Sequence, residues 1–167
     1  MSKRALKSYL NELTKKQLQE QVLDLYTRFN PVKTYYNFVF NPKEEKLLED
    51  AKFKIAKEYF PVNTRKPKTR RSVAHKIIKH YIQLGVDPFV IADVMLFNLE
   101  IAQKFTAKKR IKLDSFYSSM LKSFNEVIDY TEEHGIQADF TLRFATIVKA
   151  SEEQKWINTE AFKACYH

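Results

Sequence analysis

Glycine is nearly missing from this chain: Gly85 and Gly135 are the only two in 167 residues. A Walker loop or a dinucleotide-binding turn needs several glycines close together, because only then can backbone approach a phosphate. The sequence therefore predicts neither. Each glycine instead stands just past a helical pattern, where a left-handed residue ends a helix. Cysteine is scarcer still. Cys165 is alone, so no internal disulfide can form, and a reducing cytoplasm is the expected compartment. No long hydrophobic run occurs either. The most apolar stretch, Pro88 to Ala107, is interrupted by Asp93, Asn98 and Glu100, so it is expected to be a soluble core helix and no membrane partner is expected. Met1 to Lys7 is charged, with no apolar segment behind it, and predicts no secretion signal.

What is present is apolar and aromatic: 44% hydrophobic residues, 14% of the chain aromatic. That content excludes wholesale disorder, and the length suits one domain, residues 1–167, that buries roughly 70% of its unfolded surface. The helix over 88–107 is expected to be central. Asp87-Pro88 supplies an N-cap and a first-turn residue with fixed φ. Apolar side chains cover most of its circumference, and Asp93, Asn98, Glu100, Gln103 and Lys104 fall on one narrow side. Other helices must wrap it. Helical spacing recurs over 2–12, 15–29, 31–38, 42–60, 72–84, 115–134, 140–150 and the end of the chain, with Thr14, Ser72 and Asp114 as expected N-caps. No strand pattern lasts beyond four residues. The expected fold is all-α: about seven to nine helices, in hairpins such as 72–84 with 88–107, packed round the central one.

The formal charge of +9 is uneven. Residues 1–83 hold 19 Lys and Arg against 8 Asp and Glu, a net +11, while residues 84–167 are net −2. Such asymmetry points to a polyanionic partner. Its densest part is a basic loop at 61–71 with two prolines, five cations (Arg65, Lys66, Lys68, Arg70, Arg71) and no acid. Lys76 and Lys79 continue the polar stripe along the next helix, with His80 and Gln83. Arg70 and Arg71 fall beside a helix N-terminus, the positive end of its dipole. That local conflict marks a candidate anion site, two guanidinium forks beside the backbone N–H groups of Val73 and Ala74. The opposing reading is a solvated loop that keeps the protein soluble. A second basic loop runs from Lys108 to Lys112.

Other constellations are weaker. Tyr26, Phe29, Tyr35, Tyr36, Phe38 and Phe40 crowd fifteen residues. Aromatics at helical spacing are expected in a core, with Tyr35 or Tyr36 half exposed; exposed, they would suit stacking on unpaired bases. Residues 81–94 resemble a helix-turn-helix, but the second helix offers apolar and acidic side chains where a groove reader needs polar and basic ones. Leu6, Leu10, Leu13, Leu18 and Val22, with Lys3, Arg4, Lys7, Lys15 and Lys16, resemble the small SAP-type modules that bind nucleic acid; a plain helical hairpin explains the same pattern. Asp93 and Glu100 share a helix face about 10 Å apart, without the Glu-x-x-His that a di-iron bundle needs. His75 and His80, five apart, do not share a face. No cofactor, metal site or catalytic group is expected, and the reading is non-enzymatic.

Taken whole, the chain resembles an uncharacterised family of small, basic, helical bacterial proteins, a domain of unknown function. Met1-Ser2-Lys3-Arg4 with Leu6 and Tyr9-Leu10, Phe40-Asn41-Pro42-Lys43-Glu44, and the Arg65–Ser72 segment running into Gly85-Val86-Asp87-Pro88 carry the resemblance. It implies a bacterial cytoplasmic setting and a helical fold, and supplies no activity or site residues. The function expected from the residues is binding to a nucleic-acid backbone, RNA in preference to DNA, through Arg65, Lys66, Lys68, Arg70, Arg71, Lys76 and Lys79. The alternative is an adaptor whose basic half meets an acidic protein.

Overall fold

The computed structural model describes residues 2–62 and 66–166, so Arg65 lies outside the described residues. These form nine helices and no strand. None of the helices is long and apolar enough to cross a membrane. The chain divides into two compact units, Met1–Lys43 and Glu44–His167.

In the first unit α1 (Lys3–Asn11) starts where the Ser2 hydroxyl accepts the Ala5 N–H. Thr14 opens α2 (Lys15–Arg28) with a reciprocal capping box: its N–H donates to the Gln17 side chain at 2.8 Å, and its hydroxyl accepts the Gln17 N–H at 3.3 Å. Pro31 sits in the first turn of α3 (Asn30–Phe40), where its missing N–H costs nothing. Polar contacts tie these helices laterally: the Gln21 amide donates to the Tyr9 hydroxyl, and the Tyr26 hydroxyl donates to Asn37. No described residue of this unit is buried. The expectation that the Tyr26–Phe40 aromatics form core is therefore corrected. Phe29 is 52% exposed and Phe40 81%, because three short helices give these rings nothing thick enough to enclose them, while Tyr35, at 44%, is half exposed as expected.

The second unit is built on α6 (Pro88–Thr106), whose exposed residues are only Phe89 and Lys104. The Asp87 carboxylate accepts the Phe89 N–H at 2.8 Å and fixes its start. Leu96 and Leu99 are fully enclosed, and full burial of one such side chain contributes roughly 1.5–3 kcal/mol. The narrow polar side expected on this helix is largely inside: Asn98 and Gln103 are buried. Gln103 is tolerated there because its amide donates to the Ile147 carbonyl at 2.7 Å.

Helix α4 (Glu44–Tyr59) lies parallel to α6. Glu44 accepts the Asp87 N–H at the start, Lys52 meets Asp93 midway, and Tyr59 packs on Phe105 at the end. Helix α5 (Arg71–Leu84) returns antiparallel, its Tyr81 hydroxyl donating to the Leu47 carbonyl at 2.6 Å. Gly85, at φ 74°, ends it as expected, and the Val86 N–H reaches back to the Tyr81 carbonyl. Helices α7 (Asp114–Glu133), α8 (Gln137–Glu153) and α9 (Thr159–Ala164) complete the wrap. Phe124 meets Phe144 and Phe162, and the Arg143 guanidinium of α8 closes onto Asp93 and Glu100. Two expected caps are corrected. The N-cap of α5 falls two residues early, at Arg70 and without a side-chain hydrogen bond, and α7 begins at Asp114 itself behind Leu113.

Candidate functional site

The parallel course of α4 and α6 brings their C-terminal ends together. Phe60, just past α4, packs edge-on against Phe105 with ring centroids 5.7 Å apart. The partial negative charge of two helix ends gathers there and favours cations. The two basic loops emerge from these ends.

The last part of the first loop, Lys68 to Arg70, is folded back on α4. The Glu58 carbonyl accepts the N–H groups of Lys68 and Thr69, at 2.9 and 3.0 Å. Its carboxylate accepts both the Nε and a terminal nitrogen of Arg70, at 2.8 and 2.9 Å. The hydrogen-bonded Arg70 fork outweighs burial and holds the Glu58 carboxyl below its usual range, and the same pairing raises Arg70. Thr69 takes a left-handed φ of 50° to make the return. Arg71 turns the other way, its Nε donating to the Ser123 hydroxyl at 2.7 Å and its guanidinium pairing with Glu126 of α7. The conflict expected between two arginines and the α5 dipole is thus resolved by two carboxylates that are remote in sequence. Neither fork is left open for a phosphate, and the Val73 N–H is taken by the Arg70 carbonyl.

The cations that stay exposed are lysines. Lys66 and Lys68 make no ion pair among the described residues. With Lys57 and the Arg70–Glu58 pair they line an open depression of about 460 Å³ beside α4. Lys76 and Lys79 are exposed on the outward side of α5 and do not line it.

The second loop, 107–113, reaches the same end of the unit. The Lys108 ammonium stands 5.5 Å from the centre of the Phe60 ring. Its backbone is held by the N–H groups of Lys108 and Lys109 on the Phe105 carbonyl and by the Tyr117 hydroxyl donating to the Ile111 carbonyl. Lys108, Lys109, Arg110 and Lys112 are exposed. The sequence shows this loop as basic but not as a neighbour of the first. The one signal that joins them is that each follows a helix ending in aromatics, Tyr59-Phe60 and Phe105.

Asp93 and Glu100 do share a face, and Arg143 bridges them at 2.6 and 2.7 Å while Lys52 takes the second Asp93 oxygen at 2.7 Å. Burial alone would raise the Asp93 carboxyl, but hydrogen bonds from Lys52 and Arg143 outweigh it and hold it below the usual aspartate range. Held so, the Asp93 carboxylate is the shared counter-ion of Lys52 and Arg143. The described residues contain no group of three or more His, Cys, Asp or Glu placed to hold a metal ion.

A family model described as a family of unknown function, DUF6155, matches residues 1–167. The chain belongs to the DUF6155 family. That membership agrees with the resemblance carried by the Phe40–Glu44 and Arg65–Pro88 segments and assigns no chemistry to them. No match was found among curated proteins or among solved structures.

Proposed function

We propose that this DUF6155 member binds the sugar–phosphate backbone of RNA through the end of its second unit where Lys57, Lys66 and Lys68 stand near the Lys108–Lys112 loop. Lys76 and Lys79 extend the same field along α5. One observation carries the reading: Lys108 stands over the ring of Phe60, the residue that leads into the first loop, and the lysines of both loops are exposed. Compact ammonium groups on flexible stems suit a backbone of point charges and carry no base code. Arg70 and Arg71 serve by holding the loop in place. The setting proposed is a bacterial cytoplasm, where the unpaired Cys165 stays a thiol.

The test is a salt titration of binding to single-stranded RNA. About five neutralised phosphates give a log–log slope near −3.5. Lys66→Glu with Lys68→Glu weakens binding while leaving the helical circular dichroism unchanged. A flat titration from low to physiological salt rejects the proposal. Capture of an acidic protein that persists after nuclease treatment, with no retained RNA, transfers the surface to a protein partner.

A further inference from the structure

Phe53 is the aromatic residue in the depression, which Pro61 and Val62 also line, and charge does not explain it. It lies in the middle of α4, between helix neighbours that are polar or buried, and is 56% exposed. Water gains nothing from a ring there, and Ala51 and Ile55 already supply the α4 contribution to the core. The ring forms part of the wall of the same 460 Å³ depression that Lys57, Lys66 and Lys68 line, a volume in the range of small-ligand sites. One turn later the Lys57 ammonium stands 4.4 Å from the ring centre. On an exposed surface that cation–π contact is a weak hold.

We infer that the depression is a subsite for one unstacked nucleobase of a single-stranded RNA, which stacks on Phe53 while Lys57, Lys66 and Lys68 take the flanking phosphates. This inference rests on the backbone-binding reading above and narrows its ligand from RNA at large to unpaired RNA. Charge complementarity favours that occupant: the one carboxylate in the wall, Glu58, is neutralised by Arg70, so three lysines face the space. A base arriving at the ring displaces the Lys57 ammonium, and a phosphate beside it gives the ammonium a stronger partner than the ring it leaves. Every base has a face to stack, so the subsite is tolerant of sequence. A duplex keeps its base faces covered and meets only the lysines. Upstream on α4 the exposed Glu49 and Asp50 repel a backbone, which directs the strand across the helix toward the two loops.

The experiment measures fluorescence anisotropy of a labelled ten-nucleotide oligouridylate and of a duplex RNA of equal length with the full chain. Phe53→Ala weakens the single strand about tenfold, with the salt slope unchanged and the duplex unaffected. Phe53→Trp restores the affinity, and its emission is quenched on binding. The native Trp156 is buried and serves as the internal reference. Equal affinity of wild type and Phe53→Ala for the single strand overturns the subsite, as does equal loss on both ligands. In either case a steep salt slope that Lys66→Glu with Lys68→Glu reduces leaves the backbone reading standing. A flat slope removes both.

Discussion

Arg143 is half-buried between two carboxylates of α6, at 2.6 Å from Asp93 and 2.7 Å from Glu100, and Lys52 completes the cluster from α4. Three helices meet in that one set of contacts. Removing the guanidinium leaves two acids facing each other at partial burial. A fully buried pair broken in this way costs about 3–5 kcal/mol, and the access of water to this one scales the loss to about 2 kcal/mol. Arg143→Ala is expected to lower the denaturant midpoint accordingly. The pH dependence follows from the depressed carboxyl. Asp93 contributes stability that is fully present above its unfolded value near 4 and is lost as pH falls through the lower folded value. Glu58, depressed by Arg70, adds loss in the same direction. Unfolding midpoints taken from pH 6 down to pH 2 should therefore fall below about pH 4. Arg143→Ala leaves the onset in place and makes the acid loss shallower, because Asp93 loses one of its two cationic donors and its folded value moves back toward the unfolded one.

Among the elements, α5 shows how much of the fold was legible and where it was not. Its inward residues Ala74 and Tyr81 and its terminating Gly85 follow from spacing and from the αL preference alone. A Cβ at Gly85 meets no atom within 4 Å, so Gly85→Ala is a pure test of the backbone term. The expected cost is about 1 kcal/mol, read as a lower thermal midpoint. The start of α5 was not legible. Arg70 and Arg71 look alike in the sequence, beside each other in a basic run, yet one binds Glu58 twelve residues back and the other Glu126 fifty-five residues on. Pairing of that kind is set by which helices pack together, and local charge patterns cannot contain it. What the α6 polar side meets was not legible for a related reason: only the packing of α8 offers Gln103 a carbonyl. The first-unit aromatics have the right period for a core, but period says nothing about whether a second layer exists to cover them. The candidate site was half legible. Lys66 and Lys68 stand out by composition, whereas Lys57 and Phe53 sit inside an ordinary helix and are picked out only by the depression beside them.

At the scale of the molecule, charge along the chain and charge in space are different quantities. The sequence assigns the whole surplus to residues 1–83, yet Lys108 from the other half stands over Phe60, the residue that leads into the first basic loop, because α4 and α6 are parallel. A site formed by that meeting and a general field from a net +9 both attract RNA. They differ in what one reversed charge does. Lys46, in the first turn of α4, is exposed at the end remote from Tyr59, so Lys46→Glu changes the net charge as much as Lys109→Glu does. If contacts at the two loops carry the binding, Lys109→Glu lowers the single-strand salt slope by about 0.7 and Lys46→Glu leaves it where it was, since counterion release counts only cations in contact with phosphate. Equal effects of the two variants on slope and affinity would mean that the surplus acts as a diffuse field, and the loops would then have no claim to a site.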